Sequence, residues 1–267
     1  MAVNSFKNLL ATIVAFAFQK GGVTKSTQTY STACRAAESD IKTILIDFDE
    51  GDLTVLFPDD DSGRNYIKAS HLVSGDLDGR ELRQVGENLY LIEADEAILD
   101  VDELGIDHVA GMLQQSLQRL RVGFGLIVID TPPNLQGRML AAMAASHAVV
   151  SPINMGPFTM ARLTKFETAF LNVQERYNPK LHHLGWLPCN INSNSRDQLE
   201  GLEFLKAKCG EQMFDTVVMA RNTASTSLAY KRPVWHQATN GAQRVAAREQ
   251  LAACDAVLAR LAEVETE

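Results

Sequence analysis

Glycine, lysine and hydroxyl residues crowd one short stretch, AFQKGGVTKSTQTYSTA, from Ala17 to Ala33. Such a set suits a polyphosphate. Gly21 and Gly22 let the backbone come close, Lys25 neutralises β- and γ-phosphate charge, Ser26 offers a hydroxyl to Mg²⁺, and Thr27 is within reach of an α-phosphate. The standard loop, G-x-x-x-x-G-K-[ST], nevertheless fails here: its two glycines would sit at 19 and 24, which hold Gln19 and Thr24, and an additional Lys20 precedes the Gly-Gly pair. The same residues also suit a surface turn with a helix cap. Acids form the second constellation. The apolar run KTILIDFD delivers Asp47 and Asp49, and GLIVIDTPP ends in Asp130. An acid closing a strand can hold a Mg²⁺-coordinated water, or it can simply cap a turn.

Presenting these residues together requires strands that end at one edge. Ala11–Phe18 is a continuous apolar run of strand length, as are KTILIDFD, GLIVIDTPP, HAVVSPI and HHLGWLPCNI, with a shorter strand in NLYLIEA and another in TVV. Between them lie helical patterns: KSTQTYSTACRAAES, VAGMLQQSLQRLR, MARLTKFETAFLNVQERY, a segment around RDQLEGLEFLKAK, and the long GAQRVAAREQLAACDAVLARLAEV. Buried strands alternating with helices predict an α/β fold, a mostly parallel twisted sheet covered by helices on both faces, with ligands beyond the carboxyl ends of the strands. No linker or repeat divides residues 1–267, so a single domain is expected. Residues 51–74 are the least regular and read as a loop with one short helix.

Composition narrows the function. The chain carries a formal charge of −8, yet residues 160–260 hold 13 Lys/Arg against 9 Asp/Glu, which leaves room for a basic patch on an acidic protein. Four scattered cysteines without a C-x-x-C motif read as reduced thiols in a cytoplasmic protein and do not make a metal or disulfide framework. No apolar run is long enough to span a bilayer.

QKGGVTKST resembles the deviant Walker A loop of the ParA/MinD family of P-loop ATPases, K-G-G-x-x-K-[ST], in which a signature lysine precedes the two glycines. ILIDFDEGDLT resembles that family's second acidic motif and GLIVIDTPPNL its Walker B segment. SHAVVSPINMGPFTMARL, NPKLHHLGWLPCNIN and TVVMARNTASTSLAYKRPVW continue the likeness to ParA (Soj-like) partition ATPases as far as the last helix. The resemblance implies P-loop NTPase architecture with ATP and Mg²⁺ as cofactors. Gly21, Gly22, Val23, Thr24, Lys25, Ser26 and Thr27 would wrap the phosphates, with Ser26, Asp47 and Asp130 serving the metal and Asp49 positioning the attacking water. Lys20 would reach across a homodimer to the partner's nucleotide. Asn190, Met219 and Arg221 would meet the base.

Departures from the family pattern sit at Thr24, where glycine is usual, so its φ is expected to be negative; in the Asp-Glu-Gly-Asp reading of the acidic motif; at Ala220, where proline is common; and at Asn134, where serine is usual. The resemblance further implies a slow, partner-stimulated ATPase whose ATP dimer binds DNA without sequence preference and so associates with the nucleoid. Arg196, Arg221, Arg244 and Arg248 are candidate phosphate contacts, and a ParB-like or other cargo adaptor is the expected partner. Plasmid or chromosome partition is the leading role; positioning of a protein assembly uses the same motifs. A MinD-like membrane switch needs a basic amphipathic end, whereas this chain closes with LARLAEVETE. The short lead into the first strand also argues against an N-terminal helix-turn-helix.

Overall fold

The computed structural model describes residues 10–22, 24–60, 62–221 and 231–264. Strands β1 (Thr12–Phe16), β2 (Thr43–Asp47), β4 (Leu89–Ile92), β5 (Leu126–Asp130), β6 (Ala148–Ile153), β7 (His182–Ile191) and β8 (Val218–Met219) run parallel, and the two-residue β3 (Arg83–Gln84) adds an antiparallel edge. The order across the sheet is β3-β4-β2-β5-β1-β6-β7-β8. The helices are α1 (Lys25–Glu38), α2 (Ala69–Ser74), α3 (Ile106–Leu120), α4 (Gly137–Ala144), α5 (Thr159–Arg176), α6 (Arg196–Cys209) and α7 (Gly241–Leu261). The expected α/β class and its P-loop NTPase architecture are what the chain adopts.

Strand side chains alternate between two apolar layers, as the period of two requires. Ile13, Ala15, Ile44, Ile46, Ile127 and Ile129 face the layer built from α2 to α6. Val14, Phe16, Leu45, Leu126 and Val128 face α1 and the Ala253–Leu261 part of α7. Both faces of the central strands are dry, so β1, β2 and β5 consist of residues that are all buried. A hydrogen bond of 2.7 Å from Gln250 to Gln28 ties α7 to α1 inside this second layer.

Register then sets the chemistry. Phe16 and Asp47 both lie level with Asp130 on the central β5. The loop after β1 and the acids of β2 and β5 therefore emerge at one carboxyl edge, with β1 between β5 and β6. Two elements had no clear sequence signal. α4 buries Arg138, Met139 and Ala141–Ala144, so the sequence shows no polar face to betray its period. The acidic stretch Glu96–Leu104 winds as a 3₁₀ run. Among the described residues no helix is long and apolar enough to cross a membrane.

Candidate nucleotide site

The loop between β1 and α1 takes its shape from two left-handed residues. Gly22 has φ +72°, and a Cβ there would meet no atom within 4 Å, so its need for glycine is conformational and not steric. Thr24, the N-cap of α1, has φ +64° and ψ +27°, which overturns the expectation of a negative φ. Two interactions hold it there. Its carbonyl accepts the Gln28 N–H at 2.9 Å as the first bond of α1, and its hydroxyl shares a hydrogen bond with the buried Cys189 thiol of β7. Val23 lies outside the described residues. The first turn of α1 carries no acid, so its free N–H groups and positive dipole end meet nothing negative from their own helix.

Lys25 lies beneath this loop and is only 6% exposed. Its ammonium stands 3.9 Å from Asp49 Oδ2 and 4.0 Å from Asp130 Oδ1. Asp130 is fully buried; Thr29 donates to its Oδ1 at 3.1 Å, while Oδ2 has no hydrogen-bond partner among the described residues. Burial pushes Asp130 up to about 7, against the opposing pull of Lys25 and of the neighbouring Ser26 hydroxyl. Asp49 is pushed up to about 6 by burial and by the charge of Asp47, with Lys25 and Arg138 pulling the other way. The bare Asp130 oxygen beside the Ser26 hydroxyl fits a hard cation that takes its remaining ligands from water and phosphate, as Mg²⁺ does. Among the described residues no group of three or more His, Cys, Asp or Glu side chains could hold a metal ion.

Asp47, expected to support the metal shell, has both of its oxygens in hydrogen bonds to the loop that follows it. Oδ1 accepts the Asp49 N–H at 3.3 Å, and Oδ2 accepts from Leu53 N at 3.1 Å, Thr54 N at 2.8 Å and Thr54 Oγ1 at 2.8 Å. It shapes the loop that carries Asp49. Arg138 holds the other side of that loop, donating to the carbonyl of Asp49 at 3.2 Å. Sequence reasoning missed both Thr29 and Arg138. Thr29 was findable, being one helical turn after Lys25 on the same face; Arg138 was marked only as the single charge in GRMLAAMA.

The outer candidates divide. Lys20 donates to Asn154 Oδ1 in the loop after β6, and burial together with Arg162 depresses its pKa. Asn190, at φ +55°, brings its amide to the Gly22 carbonyl at 3.5 Å, so the end of β7 does adjoin the phosphate loop. Met219 donates its N–H to Glu249, and Arg221 grips the same carboxylate with two bonds of 3.0 and 2.6 Å. Arg221 is thus neutralised. Arg196 pairs with Glu200 at 2.6 Å on an exposed helix face. Arg244 and Arg248 are exposed on α7 and have no acid opposite them among the described residues.

A strand–loop–helix phosphate cradle with a buried lysine between two carboxylates defines a P-loop nucleotide-binding protein. A family model described as an AAA domain matches residues 11–183, and the chain belongs to that family, the one that holds the ParA-type partition ATPases. It is 28% identical over 249 residues to Protein IncC of Escherichia coli, covering 92% of this chain and 68% of IncC. It is also 28% identical over 211 residues to the chromosome-partitioning ATPase Soj of Thermus thermophilus, covering 77% and 80%. Among solved structures, a Cyanothece McdA variant in complex with ATP superposes with a TM-score of 0.81 at 16% identity, covering 94% of this chain and 97% of McdA. Cobyrinic acid a,c-diamide synthase of Mycobacterium smegmatis, with bound ADP and magnesium, gives 0.71 at 23% identity, covering 83% and 91%.

Proposed function

We propose that this chain is a Mg²⁺-dependent ATPase that dimerises around ATP, binds DNA without sequence preference in that state, and segregates plasmid or chromosomal cargo. The observation that supports it most directly is Lys25, buried between Asp49 and Asp130 below a glycine-bearing loop, with one Asp130 oxygen left bare. On this reading the loop from Gly21 to Thr27 holds the phosphates through backbone N–H groups and Lys25 offsets their charge. Ser26 and Asp130 would hold Mg²⁺, which when bound would supply charge neutralisation for the departing diphosphate. Asp49 orients the attacking water; a new phosphorus–oxygen bond forms to that water as the β,γ-bridging bond breaks, leaving ADP and phosphate. Positioning carries this chemistry more than basicity does.

Lys20 donates to Asn154 in the loop after β6, which suits a residue that completes a second subunit's site. ATP then bonds two copies and hydrolysis parts them. A cytoplasmic protein that cycles on and off the nucleoid follows, with a ParB-like adaptor setting the rate. The decisive experiment measures ATPase rate with and without DNA, together with ATP-dependent dimerisation, for the native chain and for Lys20→Ala. Loss of both dimer and hydrolysis in Lys20→Ala is expected; a fully active monomer indifferent to that substitution overturns the shared site.

A further inference from the structure

The backbone of Asp49 is held on one side by a near neighbour and on the other by a group from a distant part of the chain. Its N–H goes to Asp47, and its carbonyl accepts from Arg138 Nη1 at 3.2 Å, with the Phe48 carbonyl sharing that nitrogen at 3.5 Å. Arg138 is buried, its side chain 4% exposed, and a buried guanidinium needs a counter-charge. Asp102 supplies it. Its Oδ2 accepts Arg138 Nε at 2.9 Å, and its Oδ1 accepts the backbone N–H of Arg138 at 2.8 Å in the first turn of α4. The approach is close: a Cβ on Gly137 would stand 3.1 Å from Asp102 Oδ1, so glycine at 137 lets the carboxylate take the Arg138 N–H without a tight contact.

We propose that Arg138, oriented by Asp102, is a positioning residue for hydrolysis, fixing the backbone of Asp49 so that its carboxylate stays aimed at the reacting water. One guanidinium performs two tasks in fixed directions. Nε turns towards the acidic 3₁₀ run, and Nη1 turns towards the loop after β2. Arginine's planar fork makes this possible, whereas lysine keeps the charge but cannot hold both directions. Among the described residues the hydrogen bonds and ion pair of Arg138 and Asp102 do not involve the phosphate loop or Lys25, so their loss displaces Asp49 while nucleotide contacts remain.

The proposal rests on the ATPase reading. Steady-state hydrolysis, affinity for a non-hydrolysable ATP analogue and melting temperature are measured for the full chain, for Arg138→Lys and for Asp102→Asn; the latter keeps an oxygen for the α4 N–H. The expected result is a kcat lowered on the order of 10- to 100-fold, as small misplacements of a reacting group produce, with KM and analogue affinity within about threefold of native. In an Asp49→Ala background, Arg138→Lys should lower the residual rate no further, because its effect passes through Asp49. A native kcat in either folded variant, or an equal loss of analogue affinity, overturns the proposal. Failure of both variants to fold also overturns it, because the pair would then belong to the fold alone. No hydrolysis by the native chain removes the ATPase reading instead, a result distinct from each of these.

Discussion

Thr24 has a β-branched side chain at φ +64°, a region such residues avoid at a cost of about 1–2 kcal/mol. The hydroxyl's bond to Cys189 and the start of α1 offset that cost. Glycine at 24 would relieve the strain but lose the hydroxyl and add freedom to the unfolded chain, roughly 0.5–1 kcal/mol against it. Thr24→Gly should therefore melt within a few degrees of native. Thr24→Val keeps the branched strain without the hydroxyl and should melt clearly lower. Thermal denaturation of the two variants checks the order, and Val above Gly would remove this account. The sequence identified Thr24 as the anomaly of the loop, but not its angle. General avoidance of left-handed threonine argued one way, and the Cys189 contact from a strand 165 positions later decided the other.

At the scale of elements, α7 presents Arg244 and Arg248 one turn apart on its exposed side, while Glu249 turns inward to hold Arg221. On the proposed reading, the outward pair is placed to meet a phosphate backbone and Arg221 is not. Replacing both by Gln should weaken DNA binding in the ATP state and flatten the plot of log affinity against log salt by roughly two units per subunit. ATP binding should stay native. Fluorescence anisotropy over a salt series reads this directly, and an unaltered slope would discard α7 as the DNA face. Arg221→Gln, which frees no phosphate contact on this reading, should leave the slope near native. Sequence composition pointed to the basic half of the chain, yet could not separate Arg221 from Arg244, because pairing with Glu249 depends on how β8 docks against α7. Central strands were legible for the opposite reason. Dry on both sides, they announce themselves as unbroken apolar runs, whereas α4, equally dry, hides its helical period among alanines and methionines.

For the whole molecule, the buried carboxylates make stability depend on pH. Asp130 and Asp49 rise to about 7 and about 6 from an ordinary 3.8, so the folded chain retains protons that the unfolded chain has released. Between those limits folding weakens as pH increases, and above about pH 7 the effect levels off. His147 and His183, both depressed to about 4 by burial, act in the opposite sense below their usual 6.5 and mask part of the trend. The difference between Asp130→Asn and the native protein isolates the carboxylate: the variant should gain in relative melting temperature as pH climbs from about 5 to about 8, measured without nucleotide. A constant difference would mean that Asp130 is not the titrating group.

The pairing of β2, β5 and β1, with Asp47 and Phe16 both level with Asp130, has a consequence for how this protein can vary. In a period-two strand, a slip of one residue turns every inward side chain outward. It would also carry the acid row off the carboxyl edge. The apolar alternation that seals the two layers is therefore the ruler against which the nucleotide edge is cut, and the alignment cannot drift while the interior stays sealed. Sequence change can be tolerant on the outer helices and still inherit an intact site, because the site's tolerance is the sheet's own.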